Sequence, residues 1–357
     1  MSATIIGLGT WLPDRVRTND EWPPTFTGHH DQADRTFNDI PAPADPVAAQ
    51  ILARDLLLEA ADPFLGAVKR RVSDASMTSI EAETRAARAA LDQAGVSGQD
   101  VDLVLSYSIA PDTLTIPTGN VVAHNIGAKR AFALSIEAAC ATTIAQLEIA
   151  RAYIESGLAN VALLTQAHLL LRVMPMMHPA TPGLGDAASA LVVARGRRGL
   201  VVRSTYAITH GEYADAVLWM RSRDAAEEPP WWKAGGDYRL GTRSPRDVKM
   251  LMRDTVSLGA ATVKEAAARA ALDVERLSAL ASVQPRGFIP KGIAERLGLD
   301  REAGISTYEE IAHVGACGPV FNLERAQKLG RVEPGSFVAL YGQGAGFVRA
   351  AAILEAI

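Results

Sequence analysis

The residue in this sequence best suited to covalent chemistry is Cys140, in the segment Ser135-Ile-Glu-Ala-Ala-Cys-Ala-Thr-Thr143. The apolar residues before it, 131–136, predict a buried strand, and the apolar spacing over 143–156 predicts a helix that Gly157 ends. Cys140 then lies at a strand-to-helix turn, where free amides and the helix dipole favour a thiolate. We interpret Cys140 as a nucleophile. A buried structural cysteine is the alternative, because free thiols are commonly buried.

Composition and charge exclude several classes of protein. The 357 residues are 48% hydrophobic and 21% charged, enough for one large domain or two ordinary ones. A net charge of -4 argues against a nucleic-acid surface, and no apolar run approaches the roughly 20 residues of a membrane span. The first residues enter a strand without a basic region, so we see no secretory signal. We therefore expect a cytoplasmic protein with Cys140 and Cys317 as thiols.

Helix and strand patterns alternate, and the second half repeats the order of the first. An Ala-rich helix over 80–94 precedes a strand over 101–108, and a second Ala-rich helix over 262–271 precedes a strand over 280–283. The closing strand at 349–354 resembles the strand at 189–194. This weak internal duplication predicts two α/β halves packed on each other, residues 1–196 and 197–357.

Two irregular segments carry residues that are candidates for binding. Residues 20–50 form a Pro-rich insertion with His29 and His30, but no third ligand has metal-binding spacing to this pair, so we predict no metal site. Trp231 and Trp232 lie in an expected exposed loop, 227–236. This Trp pair has two interpretations: stacking on an aromatic ring of a ligand, or covering an apolar patch at an oligomer interface.

Four segments in this order resemble the thiolase superfamily, and specifically its ketoacyl-ACP synthase III branch. They are Ile-Gly-Leu-Gly-Thr-Trp-Leu-Pro at 6–13, Glu-Ala-Ala-Cys-Ala at 137–141, Gly-Leu-Gly-Asp-Ala-Ala-Ser-Ala at 183–190 and Gly-Gln-Gly-Ala-Gly-Phe at 342–347. The resemblance covers nearly the whole chain. It implies a thiolase-like α/β fold in which two duplicated halves pack as a five-layered sandwich.

The resemblance also implies roles for individual residues. Cys140 would take an acyl group from coenzyme A or an acyl-carrier protein as a thioester, with no separate cofactor. Its amide and that of about Ala345, flanked by Gly344, would form the oxyanion hole, where losing one donor costs about 100-fold or more in rate. An ordinary tight turn is the alternative for this glycine segment.

Further residues are assigned to substrate binding through the same resemblance. Ile116 lies in the segment that crosses the dimer interface of family members into the partner's acyl pocket, which implies a homodimer. Arg286 and Lys291 lie near positions that line the coenzyme A tunnel, and a solvated basic pair is the alternative. We also assign Trp231 to substrate binding.

Two departures from the family pattern concern the condensing reaction. Condensing members carry a His in a Pro-His-Gln-Ala-Asn context and an Asn in a Tyr-Gly-Asn-Thr-Ser context. The corresponding stretch 282–290 contains no His, and 312–319 contains no Asn but places His313 near the Asn position. In the family this His and Asn hold the thioester carbonyl while a malonyl unit loses CO2. Their loss argues against decarboxylation.

His313 is consequently the best candidate for the base, because it lies in the loop that the family uses for catalysis. A Cys–His pair suffices for acyl transfer, since the imidazole activates the thiol and then deprotonates the acceptor. His210 is the second candidate, as it follows a strand and Glu212 could orient its ring. We assign His124 and His168 to structural positions.

We therefore predict an acyltransferase of specialised, polyketide-type metabolism. Cys140 would receive the acyl group from acyl-CoA or an acyl-carrier protein, and a small-molecule acceptor or another carrier thiol would take it. One alternative is a decarboxylating condensing enzyme in which His210 or His313 supplies the missing donor. Another is a non-catalytic partner subunit of a heteromeric synthase, against which the intact Cys140 argues.

Overall fold

Strands and helices alternate along the residues that the structure, a computed structural model, describes: 2–28, 40–59, 62–220 and 239–357. The strands are β1 (Ala3–Trp11), β2 (Val16–Thr18), β3 (Lys69–Arg71), β4 (Leu103–Ser108), β5 (Phe132–Ser135), β6 (Val161–His168), β7 (Ala187–Arg195), β8 (Leu200–Thr209), β9 (Leu218–Met220), β10 (Arg239–Gly241), β11 (Leu277–Ser282), β12 (Gly304–Ile305), β13 (Phe337–Gly344) and β14 (Val348–Ala356). The helices are α1 (Pro46–Glu59), α2 (Ser79–Ala94), α3 (Thr118–Asn125), α4 (Thr142–Ser156), α5 (Pro245–Arg269), α6 (Ile289–Arg296), α7 (Tyr308–Ile311) and α8 (Gly318–Lys328).

One ten-stranded sheet contains the same ladder twice. Its order is β12-β11-β13-β14-β8-β1-β7-β6-β4-β5. Outward from the centre, β1-β7-β6-β4-β5 and β8-β14-β13-β11-β12 each show two antiparallel pairings followed by two parallel ones. The halves join where β1 pairs with β8, at Thr4 with Val201 and Ile5 with Leu200. This repeated topology confirms the α/β fold of duplicated halves predicted from the sequence.

Two helices lie between the halves and form the central layer. One apolar cluster joins α4 and α8 to strands of both ladders, including Ile144, Leu147, Leu164, Leu323 and Leu340, which are all fully buried. On the outside, α2 covers the first ladder, and α5 with α6 covers the second. The α2 face is built from Ala82, Ala86 and Ala90, all without solvent exposure. Small side chains let this helix lie close against its strands.

The largest difference from the predicted elements is the length of α5. It runs from Pro245 to Arg269, whereas the Ala-rich pattern predicted a helix over 262–271. Ser244 caps its start by accepting the Asp247 backbone N–H, and Pro245 occupies the first turn. These start signals are visible in the sequence, and Val248, Leu251, Met252 and Val256 continue the helical spacing into the first half of the helix.

The described ranges contain neither a membrane-spanning helix nor a metal-binding cluster. Within these ranges, no helix has the length and apolar composition needed to cross a bilayer. The same residues contain no group of three or more His, Cys, Asp or Glu side chains placed to hold a metal ion. His29 and His30 lie outside the described residues.

Gly9 of β1 provides a test of the close packing between β1 and α2. A Cβ atom at Gly9 would lie 2.2 Å from the Ala86 carbonyl oxygen and 2.5 Å from the Ala90 nitrogen. We expect Gly9→Ala to lower the free energy of unfolding by about 1–3 kcal/mol, because backbone cannot yield as a side chain can. Urea unfolding followed by circular dichroism measures this. Gly211→Ala is the control, since a Cβ there meets nothing within 4 Å; equal stability of the two variants would contradict the packing argument.

Candidate active site

Cys140 lies in a short turn between β5 and α4. Ala139, immediately before it, has a φ of 47°, which is left-handed and unfavourable for a residue with a side chain. The Thr142 hydroxyl holds this turn, because it accepts the Ala138 N–H at 2.9 Å and donates to the Ala139 carbonyl at 2.7 Å. The predicted strand-to-helix turn is therefore present, with Cys140 beside the N-terminus of α4.

His313 comes from the second half of the chain, between α7 and α8. Its N–H donates to the Gly183 carbonyl at 2.9 Å, and its carbonyl accepts the Gly185 N–H at 3.0 Å. The preceding residue, Ala312, has a φ of 57°, a second strained position. This backbone directs the imidazole towards the first half, and its Nε2 lies 3.5 Å from the Sγ of Cys140. The structure thus brings the predicted pair together.

Both members of this pair are uncharged at neutral pH. Burial, assisted by the Glu137 carboxylate, raises the pKa of Cys140 to about 12. Burial, assisted by His168, lowers the pKa of His313 to about 3. The thiolate expected from the helix N-terminus is therefore not the resting form, because desolvation outweighs the dipole. The contact is instead that of a neutral thiol facing a neutral imidazole.

Cys140 and His313 both line a cavity of about 400 Å³. Its wall is largely apolar and includes Ile109, Leu170, Leu184, Leu218, Trp219 and Leu240. Leu218 and Trp219 belong to β9 and Leu240 to β10, so this two-stranded hairpin forms part of the wall. Such a cavity suits an apolar group attached to Cys140.

The glycine turn after β13 lies against the nucleophile turn. A Cβ atom at Gly344 would lie 2.3 Å from the Ala138 carbonyl oxygen and 3.1 Å from the Cys140 nitrogen. Only glycine therefore allows the two backbones to approach this closely. Ala345, the next residue, lines the cavity. Backbone groups of both segments thus surround the sulfur, although the oxyanion role of Cys140, Ala345 and Gly344 stays a prediction.

Comparison with known proteins identifies this arrangement. Residues 134–211 match the family profile of 3-oxoacyl-(acyl-carrier-protein) synthase III, and residues 267–356 match that of its C-terminal part. Over these two segments the chain is similar to 3-oxoacyl-(acyl-carrier-protein) synthase III.

Relatives and solved structures match over nearly the full length. The chain is 27% identical over 359 residues to β-ketoacyl-(acyl-carrier-protein) synthase III of Paramagnetospirillum magneticum, covering 98% of each chain. It is 25% identical over 350 residues to the Bordetella petrii protein of the same name, covering 97% of this chain and 95% of that one. The fold also matches the priming β-ketosynthase of a polyketide biosynthetic pathway, with a TM-score of 0.78, 24% identity, and 99% and 96% of the two chains covered.

In this ketoacyl-ACP synthase III-like chain, the end of β11 supplies no imidazole to the site. Pro285 lines the cavity there, and its ring has no proton to donate. The buried Gln284 supports the His313 loop instead: it donates to the Ala312 carbonyl at 2.9 Å and accepts the Thr307 N–H at 3.0 Å. The His of condensing members that is missing from 282–290 is therefore also missing from this side of the cavity.

The structure places His210 away from the cavity, which corrects our second candidate for the base. Its Nδ1 lies 3.1 Å from Glu212, and its Nε2 accepts from Arg349. The ring also packs beside Phe347 and is not among the residues that line the cavity around Cys140. Glu212 does contact this imidazole, as expected, but outside the cavity that Cys140 lines.

Arg286 is likewise placed differently from the prediction. Its side chain is buried and pairs with Glu59 at 2.8 Å. The guanidinium therefore forms an internal ion pair, and burying it without this partner would be costly. Lys291 pairs with Glu302 at 3.0 Å. Ile116 is 55% exposed on the loop before α3. Trp231 lies outside the described residues.

His168 is the site residue that the sequence analysis missed. We assigned it to a structural position, but it lines the cavity, and its ring centroid lies 5.6 Å from that of His313. It ends β6, at the carboxyl edge of the parallel strands β4 and β6, where sites of α/β proteins gather. Its position at the end of a predicted strand was the signal in the sequence that could have identified it as a site residue. Cys317, by contrast, is fully buried against the carbonyls of Gln166 and Ala187.

The neutral state of Cys140 can be tested by alkylation. Since a raised pKa keeps the thiol protonated, the rate with iodoacetamide should climb about tenfold per pH unit from about pH 6 to about pH 9, without a plateau. Mass spectrometry of the Cys140 peptide measures it, and Cys140→Ala, which retains the buried Cys317, is the control. A plateau at neutral pH would show a resting thiolate–imidazolium pair and contradict this electrostatic assignment.

Proposed function

We propose that this protein is an acyltransferase that carries an acyl group on Cys140 and passes it to an acceptor without decarboxylation. The observation that supports this most is the 3.5 Å approach of Cys140 Sγ to His313 Nε2 beside Pro285, in a cavity to which β11 brings no histidine. The family supports thioester acyl transfer or condensation, and the residues of the site favour the former.

The first half-reaction loads Cys140. The sulfur attacks the donor thioester carbonyl as its proton passes to Nε2 of His313, so that the ion pair forms only with bond formation. Amides of Cys140 and Ala345 would stabilise the tetrahedral oxyanion. Collapse breaks the donor C–S bond, and the leaving thiolate takes the proton back from His313. The products are acyl-Cys140, a neutral His313 and the free donor thiol.

The donor in this proposal is acyl-CoA or an acyl-carrier protein, because the curated relatives are named for the carrier protein. A small molecule or another carrier thiol accepts the acyl group. A role in specialised metabolism follows from the missing decarboxylation pair, since chain extension requires it. We place the protein in the cytoplasm.

A homodimer is part of the proposal. The β5 strand lies at the edge of the sheet, and Phe132 on it is 56% exposed. An uncovered edge with exposed aromatic surface favours pairing with another chain. Ile116, exposed on the loop before α3, would then lie at the interface, as the family resemblance implies.

A condensing enzyme is the second candidate, favoured by the names of the relatives. In that case His313 would act as a hydrogen-bond donor to the thioester carbonyl from the position of the family's Asn. The fully formed cavity and the Cys140–His313 contact argue against the third candidate, a non-catalytic partner subunit.

The two enzymatic candidates differ in their response to one substitution. Incubation with acyl-CoA and malonyl-CoA should give an acyl mass adduct on Cys140 but neither CO2 nor a β-keto product. His313→Asn removes the base, so we expect loading to slow by about 100-fold or more. A condensing enzyme should instead tolerate Asn there, as its relatives carry it.

The controls are Cys140→Ala, which should take up no acyl group, and His124→Asn, the same type of change at an exposed histidine of α3. Release of CO2 with a β-keto product from the unaltered protein would refute the acyltransferase proposal.

The cavity wall indicates an apolar acyl group, and Trp219 should limit its length. We expect Trp219→Ala to accept chains too long for the unaltered protein, with a gain of about 10-fold or more for such a chain. Competition among acyl-CoA esters of increasing length, read as adduct masses on Cys140, measures the preference. Leu329→Ala, at an exposed leucine outside the cavity, is the matched control; an unchanged preference in Trp219→Ala would place the acyl chain elsewhere.

A further inference from the structure

His168 presents an unused basic nitrogen on the wall of the cavity. Its Nδ1 lies 2.8 Å from the Gly185 carbonyl oxygen, so Nδ1 carries the proton and the lone pair is on Nε2. Within the described residues, Nε2 makes no hydrogen bond. A buried imidazole usually satisfies both nitrogens. His168 departs from this rule, as does His313, whose Nδ1 is unpartnered in the described part of the chain, and both rings line the cavity beside Cys140.

The surrounding backbone makes room for this ring. Gly315, between His313 and α8, has a φ of 54°, and a Cβ there would lie 2.3 Å from Cδ2 and 3.1 Å from Nε2 of His168. Any other residue at 315 would press on the imidazole. The hydrogen bond to Gly185 and the bare backbone of Gly315 therefore fix the ring from two sides. Burial also lowers the pKa of His168 to about 4, which keeps the nitrogen unprotonated at neutral pH.

His313 can serve both half-reactions only if its Nε2 is reached first by the thiol and then by the acceptor. Its Nε2 faces the sulfur of Cys140, which is the attacking atom during loading and the leaving atom during transfer. During transfer a base is needed beside the incoming acceptor, at the moment when the sulfur needs a proton. The second imidazole, with its ring 5.6 Å from that of His313, stands in the same cavity without another partner.

We propose that His168 is a second catalytic base, which deprotonates a hydroxyl acceptor during transfer, whereas His313 serves the thiol of Cys140 during loading. This inference rests on the proposed acyltransferase function and deepens it. The acceptor X–H attacks acyl-Cys140, its proton passes to Nε2 of His168, and the C–S bond breaks. The Cys140 thiolate is then reprotonated by the proton released from His168, which restores a thiol and two neutral imidazoles.

This arrangement selects a class of acceptor. A neutral imidazole base is useful to a hydroxyl, whose proton must leave as the bond forms. Transfer to a thiol is the reverse of loading and uses the groups that serve loading, and an amine can attack before it loses its proton. The acceptor is therefore a hydroxyl compound small enough to enter beside the acyl chain.

The test separates loading from transfer. His168→Asn keeps an amide able to donate to Gly185 but removes the basic nitrogen, and His124→Asn is the matched control. Each protein is loaded with octanoyl-CoA, freed of excess donor, and discharged with ethanol, a hydroxyl compound, with N-acetylcysteamine, a thiol, or with hydroxylamine, a free amine. We expect His168→Asn to load, and to transfer to N-acetylcysteamine, within about threefold of the unaltered rates but to transfer to ethanol about 100-fold or more slowly. Discharge by hydroxylamine should be unchanged.

The other outcomes are informative in different ways. Transfer to ethanol at the unaltered rate, or no transfer to ethanol by the unaltered protein, would refute the role of His168. Equal losses in loading, thiol transfer and hydroxylamine discharge would show a general structural role, and would also refute it. If the unaltered protein takes no octanoyl group onto Cys140, the proposed function itself fails and the inference with it, a result visible before any variant is compared.

Discussion

The contact between Cys140 and His313 is the interaction on which the rest of the site depends. Each residue precedes a central helix, α4 or α8, and each of these helices belongs to a different half of the duplicated fold. The Thr143 hydroxyl donates to the Ala316 carbonyl at 2.6 Å and joins the starts of the two helices directly. The site therefore exists only when both halves are folded and packed, since neither half contains a complete pair.

The backbone around this contact is held in strained conformations. Ala139 beside Cys140, Ala312 beside His313 and Phe347 in the glycine turn all have positive φ values. Each such residue costs of order 1–3 kcal/mol and persists only where its surroundings fix it. Here the surroundings are the buried Gln284 network and the apolar cluster of the central layer. The strain lies where side chains must point into the cavity instead of along a regular strand or helix.

The sequence predicts local features of this protein well and tertiary ones poorly. The turn at Cys140, the stop of α4 at Gly157 and the repeated halves follow from local spacing. Arg286 was misplaced because its partner Glu59 is 227 residues away in the chain, and a pairing at that distance leaves no local pattern. His168 was missed for the same reason: one histidine at the end of an apolar strand shows its cavity only after β6 and the His313 loop are packed together.

Burial also decides the electrostatic character of the site, against the expectation from the helix dipole. A helix N-terminus favours a neighbouring anion by about 0.3–1 kcal/mol at an exposed position. Each unit of pKa shift corresponds to about 1.4 kcal/mol. The shift of the Cys140 pKa from its ordinary value to about 12 is therefore several times larger in free energy than the effect of the helix dipole. The desolvated environment therefore wins, and it also keeps His313 and His168 neutral. A site of this kind holds no charge until a substrate arrives, and its two uncharged imidazoles can then accept protons one at a time, each beside a different nucleophile.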